Sequence, residues 1–120
     1  MNNVENIWPE ILSTSIYDDS AELHFNVPKN LEHFKGHFPQ TPILAGVVQL
    51  HWAVEFTKKI FNSLNAEVKD IEVLKFKNVI IPDQDLTLVL HKKNNNKVHF
   101  LYKSKKGEHA SGRILFKEIF

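Results

Sequence analysis

The chain has 120 residues, 42 % of them hydrophobic and 24 % charged, with a formal net charge of +1, seven histidines and no cysteine. That length suits one domain with one core, since single cores occupy roughly 100 to 150 residues. The near-neutral balance argues against a dedicated nucleic-acid surface, and the lack of cysteine rules out disulfides and thiolate chemistry.

No run approaches the roughly 18 to 20 apolar residues that span a bilayer, so no membrane segment is expected. The opening MNNVENIWPE has no basic stretch followed by an apolar one. A cytoplasmic location is therefore the expectation.

In chain order, Val4, Ile7, Trp8 and Ile11 recur at helical spacing, interrupted by Pro9. One short helical turn is expected there. Over residues 15–27, Ala21, Leu23, Phe25 and Val27 alternate with Glu22, His24 and Asn26. This is the period of a strand with one buried face, ended by Pro28.

Residues 44–61 are apolar nearly all round, with Thr57, Lys58 and Lys59 only in the second half. That pattern predicts a buried helix. Residues 68–81 are rich in β-branched side chains, and their apolar phase shifts between Val73 and Leu74, predicting one long strand with a bulge or strong twist.

Pro82 and Asp83 make a turn, Leu86, Leu88 and Leu90 alternate, Asn94, Asn95 and Asn96 turn again, and Val98, Phe100 and Tyr102 continue the alternation. Gly107 precedes a last strand over about residues 108–118. One buried helix and about five strands imply an α+β domain spanning residues 1–120, a curved antiparallel sheet wrapped around the helix. Such a sheet has open edges, and pairing them across a two-fold axis predicts a dimer.

Lys92 with Lys93, and Lys103 with Lys105 and Lys106, are small basic patches of the kind solvated loops carry. His24, His91, His99 and His109 fall at alternating strand positions, where a histidine is usually a surface or boundary residue. His33 and His37 are four apart, a metal-site spacing on a helix, but Gly36 and Pro39 oppose that helix and no third ligand is near. No metal is expected. His37 stands out because Pro39 and Pro42 stiffen its loop just ahead of the helix, and a rigid loop is where a base can be aimed.

The segment GHFPQTPILAGVVQLHWA, residues 36–53, resembles the active-site segment of the hot-dog-fold 3-hydroxyacyl-(acyl carrier protein) dehydratases. Their pattern is Gly-His-Phe-Pro, a second proline, then Pro-Gly-Val before the central helix. LKFKNVIIPDQDLTL, residues 74–88, is similar to the family's strand, proline turn and next strand.

The resemblance implies that His37 is the catalytic base and that the amide of Gly46, with that of Val47, binds the thioester carbonyl. A helix N-terminal amide suits a developing oxyanion on physical grounds too. Three positions depart from the pattern: Gln40 replaces a glycine, Ala45 a proline, and His51 the helix carboxylic acid.

Histidine performs general-acid work near neutral pH, so His51 is the candidate acid. Glu55, one turn on, is placed to orient it. Phe34, Phe38, Ile43, Leu44 and Trp52 are candidates for an acyl tunnel. The Gly-Val-Val-Gln-Leu-His-Trp-Ala helix resembles the aryl-polyene branch of the family.

The implied activity is dehydration of (3R)-3-hydroxyacyl thioesters to trans-2-enoyl thioesters. Acyl carrier protein would be the partner, and no cofactor is expected, the phosphopantetheine belonging to the substrate. The implied assembly is a homodimer or larger oligomer, or a heterodimer with a related hot-dog subunit. Two alternatives are a hot-dog thioesterase and a non-catalytic carrier-binding subunit.

Overall fold

A computed structural model describes residues 6–34, 41–62 and 66–117. Six strands and one long helix follow in the order β1 (Glu10–Ile16), β2 (Ser20–Asn26), α1 (Gly46–Ile60), β3 (Val68–Phe76), β4 (Asp85–Asn94), β5 (Lys97–Ser104) and β6 (Gly107–Phe116), with a single 3-10 turn at Glu32–Phe34 before α1. They form one antiparallel sheet, ordered β1-β2-β4-β5-β6-β3. The connection through α1 therefore leaves β2 and re-enters at the far edge, which lays the helix across one face of the sheet.

The core follows the two-residue period of the strands. Ala21, Leu23 and Phe25 of β2, Leu86, Leu88 and Leu90 of β4, Val98, Phe100 and Tyr102 of β5, and Ile114 and Phe116 of β6 are all buried, with Trp52 and Ala53 of α1. Phe25 meets both Trp52 and Tyr102 edge-on, with ring centroids 6.0 and 6.1 Å apart. Each such side chain stabilises the fold by about 1.5–3 kcal/mol through burial.

The expected helix, alternating strands and turns are present, with four differences. Over residues 6–16 there is no helical turn: residues 6–9 are irregular and the next seven form β1, while Val4 lies outside the described residues. Backbone pairing with β2 outweighs the helical spacing that Pro9 already weakened. The strand expected over residues 15–27 is two strands, because Tyr17 N donates to Ser20 O at 2.8 Å and closes a hairpin turn. The sheet thus has six strands rather than about five.

The long strand expected over 68–81 stops at Phe76, where Lys77 and Asn78 amides turn to the His109 carbonyl. His109 is not a surface residue. It is 1 % exposed, with Nδ1 3.0 Å from Val79 O and Nε2 2.6 Å from Ser104 Oγ. A carbonyl only accepts, so Nδ1 carries the hydrogen, and the ring ties the segment after β3 to the β5–β6 turn.

α1 buries Gln49, Trp52, Ala53 and Thr57. Val48, Leu50, Val54 and Phe56 are half-buried, and Val47 is 73 % exposed. Among the described residues no helix is long and apolar enough to cross a membrane.

Candidate active site

The chemistry expected at the head of α1 depends on how the helix begins. Ala45 is the N-cap, extended at φ −62° and ψ 146°, and offers no capping side chain. Val48 and Gln49 amides return to Ala45 O at 3.1 and 3.2 Å. The amides of Gly46 and Val47 stand ahead of them, with no partner among the described residues. The first turn carries no acidic residue either, so the positive end of the helix dipole is uncompensated there.

Gly46 has a steric reason to be glycine. A β-carbon built on it would lie 2.6 Å from Cζ of Phe76, so the ring packs directly on the start of the helix. Leu44 N donates to Ile80 O at 2.8 Å, fixing the preceding loop against the segment that follows β3. The result is a cleft of about 300 Å³ lined by Ile43, Leu44, Gly46, Gln49, Phe76 and Val79, among others.

Gln49 is held from two sides. Its backbone carbonyl accepts from the Tyr102 hydroxyl at 2.6 Å, and its Nε2 donates to Leu44 O at 3.0 Å. Burial raises the Tyr102 pKa well above the usual phenol value, so this hydroxyl remains a donor. Oε1 of Gln49, by contrast, is buried with no hydrogen-bond partner among the described residues. An unsatisfied buried carbonyl costs about 1–3 kcal/mol.

His51 lies elsewhere. It is not among the residues that line the cleft at Gly46. The imidazole is exposed and stacks on Trp8, centroids 5.3 Å apart at 29°. Glu55 is half-buried, and its carboxylate lies 3.7 Å from Lys58 Nζ.

The residues expected to line a tunnel divide. Ile43 and Leu44 border the cleft. Phe34 and Trp52 are buried in the core instead, and Trp52 Nε1 donates to Ile7 O at 3.0 Å. His33 Nε2 reaches the same carbonyl at 3.1 Å, which gives that histidine a structural partner. His37 and Phe38, with Gln40, lie outside the described residues. Among the described residues no group of three His, Cys, Asp or Glu side chains is placed to hold a metal ion.

One chain therefore brings Gly46, Ile43 and Leu44 to a single cleft, with Val47 exposed next to it in the chain, and leaves His51 and Glu55 outside it. Gln49 and Phe76 belong to the cleft and were not singled out from sequence. A glutamine inside an otherwise apolar run is the signal that marks Gln49; the contact of Phe76 with Gly46 spans two elements and has no local signature.

Comparison with known proteins agrees with this architecture. The dehydratase heterocomplex ApeI:P from Xenorhabdus doucetiae contains a chain that superposes with a TM-score of 0.83 at 22 % identity, covering 91 % of this chain and 97 % of that one. An uncharacterised protein from Erwinia carotovora subsp. atroseptica gives 0.77 at 28 % identity, covering 93 % and 98 %. The dehydratase domain from the CurF module of a curacin polyketide synthase gives 0.63 at 18 %, covering 97 % of this chain and 45 % of that one. These likenesses establish the hot-dog fold.

No curated protein matches the sequence. The profile described as ApeI-like, ApeI dehydratase, matches residues 13–113. With five-sixths of its length matched in this way, the chain belongs to the ApeI-like dehydratase family.

Proposed function

We propose that the protein removes water from (3R)-3-hydroxyacyl thioesters carried on acyl carrier protein, giving trans-2-enoyl thioesters in fatty acid or aryl-polyene synthesis in the cytoplasm. The observation that carries this reading is the uncapped, acid-free start of α1, with the Gly46 amide open at a largely apolar cleft and that of Val47 following it. Donors fixed in this way stabilise the enolate oxygen that forms when an α-proton leaves a thioester.

In this reading His37 takes the α-proton, electron density moves onto the thioester oxygen at the Gly46 amide, and the enolate collapses with loss of the 3-hydroxyl. His51 protonates that hydroxyl, which departs as water. The thioester itself acidifies the α-carbon, and the reading calls on no cofactor; the phosphopantetheine arm belongs to the substrate.

The His51 ring stacks on Trp8 and does not line the cleft that holds Gly46. We therefore place the working site between two chains, with His51 contributed by a second hot-dog subunit, identical or related. The C-terminal end of β3 favours this, with Val73 54 %, Leu74 39 % and Phe76 51 % exposed, the last of them in the cleft.

His37→Ala is expected to abolish dehydration of a 3-hydroxyacyl carrier substrate, followed as loss of one water by mass spectrometry, with circular dichroism and gel-filtration profile unchanged. Full retained turnover would sink the assignment. His51→Glu, which restores the acid of the wider dehydratase pattern, is expected to retain or raise activity.

A second reading is favoured by one observation: the position of the helix acid holds an exposed histidine stacked on Trp8. On that reading the chain is a non-catalytic subunit of a two-protein dehydratase. It predicts carrier binding without turnover by the chain alone, and turnover once a related hot-dog subunit is added.

A further inference from the structure

Two buried side-chain polar atoms lack a hydrogen bond among the described residues, Arg113 Nε and Gln49 Oε1. The first faces the Glu72 carboxylate at 3.6 Å, so its charge is compensated. The second has no such neighbour. The orientation of the Gln49 amide is not ambiguous, because Leu44 O can only accept and Nε2 must be the atom that reaches it at 3.0 Å. Oε1 shares its carbon with Nε2 and therefore lies beside the loop–helix junction, next to Gly46.

The side chain is 4 % exposed and borders the cleft at the head of α1. Its backbone and its Nε2 are each pinned, by Tyr102 and Leu44, so the oxygen is held in place. A leucine or methionine would fill the same volume without burying an unpaired acceptor. Bulk water does not satisfy an oxygen shielded in this way; a donor on a ligand seated in the cleft would, by displacing what covers it.

The cleft thus offers an open donor, the amide of Gly46 at the head of α1, and one turn along the helix a fixed acceptor. That pairing fits a ligand with a carbonyl and, a few bonds away, a hydroxyl. In a 3-hydroxyacyl thioester the hydroxyl two carbons from the carbonyl is such a donor on the acyl side.

We infer that Gln49 is a specificity-determining residue whose Oε1 accepts a hydrogen bond from the 3-hydroxyl of the bound acyl chain. The inference rests on the dehydratase reading for the identity of the ligand. It assigns Gln49 the recognition of hydroxylated over non-hydroxylated acyl groups, a role separate from proton transfer.

The test uses the full chain, with any subunit that co-purifies, and two amide-linked pantetheine probes, 3-hydroxyhexanoyl and hexanoyl. The amide leaves the α-proton too weakly acidic to eliminate, so calorimetry reads binding alone. The wild type is expected to prefer the hydroxylated probe by about tenfold, the worth of one well-buried hydrogen bond. Gln49→Met is expected to bring that ratio close to one.

A wild-type ratio near one, or no binding of the hydroxylated probe, overturns the inference, and so does a tenfold ratio that survives in Gln49→Met. If Gln49→Met does not fold, Gln49→Leu carries the comparison, and a wild-type ratio near one overturns the inference by itself. Turnover of the corresponding thioester is measured separately. A preserved tenfold preference without turnover would refute the dehydratase reading and leave Gln49 as a hydroxyl contact.

Discussion

Gly46 sits where the Phe76 ring leaves no room for a β-carbon, yet its backbone is ordinary helix. Gly46→Ala therefore meets a steric cost and a helix-propensity gain together. The Phe76 ring is 51 % exposed and free to swing outward, so the expected loss of stability is only about 1 kcal/mol. The displaced ring and the added methyl both crowd the cleft at the open amides. Turnover should fall at least tenfold while the thermal midpoint moves by only a few degrees. A loss of activity matched by a collapse in the midpoint would mean that Gly46 serves packing alone.

At this scale the sequence was readable where a residue type has one usual cause. The apolar run that Gly46 opens is the helix the pattern predicts, and the ring that packs on its first residue comes from another element. His109 was misread because its position in a strand alternation looks like that of His91 or His99. What buries it is the segment after β3, folded back so that Val79 O meets Nδ1. Nothing local to residue 109 announces that. The same holds for His51, whose stacking partner Trp8 is 43 positions away and belongs to a segment without regular structure.

Among the elements, β3 carries the clearest record of a conflict between pattern and backbone. The shift of apolar phase between Val73 and Leu74 corresponds to a bulge, where the register with β6 slips between Glu72 and Lys75 and Val73 takes φ 48°. A β-branched residue with positive φ is costly, of order 1–3 kcal/mol. Val73 is also 54 % exposed, so truncating it loses little burial. Val73→Gly is therefore expected to raise stability by about 1 kcal/mol, read as a higher urea midpoint at unchanged slope. A lower midpoint would show that the valine side chain is covered in the assembled protein.

The helix and the β4–β5–β6 meander were legible because their periods run uninterrupted. β1 was not, because all seven of its residues are exposed and no buried face imposes an alternation on it. Backbone pairing with β2 alone defines that strand, and pairing leaves no hydrophobic pattern in the sequence.

Across the middle of the sheet, on the face away from α1, His91, His99 and Arg113 form a row of directly paired positions on β4, β5 and β6. Burial lowers the His99 pKa below its usual 6.5, and Lys93, Arg113, His91 and Lys97 lower it further. The sign follows from linkage. In the unfolded chain the imidazole takes up its proton near pH 6.5, whereas in the folded protein uptake waits for a lower pH. Stability should therefore fall as pH drops below about 6.5, until the folded-state pKa is reached. His99→Gln should flatten that part of the profile of thermal midpoint against pH; an unchanged slope would mean that other groups set it.

At the scale of the whole molecule, the sheet ends in two open edges, β1 and β3, and only β3 adjoins the cleft at the head of α1. Beyond it Val79 and Ile81 are 58 % and 37 % exposed, so the apolar surface continues past the strand. An open strand edge is a ready template for pairing with another chain, and Lys69, Asp70, Glu72 and Lys75 leave the apolar surface of β3 concentrated at Val73, Leu74 and Phe76. In the proposed two-chain site, pairing at β3 both covers this surface and brings a second helix towards the first. Leu74→Asp puts a charge at the centre of that edge while exchanging a side chain already 39 % exposed, so the isolated fold should persist. The expected result is a shift from dimer to monomer in sedimentation velocity, native circular dichroism, and loss of turnover that excess His51→Ala protein fails to restore. A Leu74→Asp protein that remains dimeric and active would move the interface to another surface, with β1 the next edge to charge.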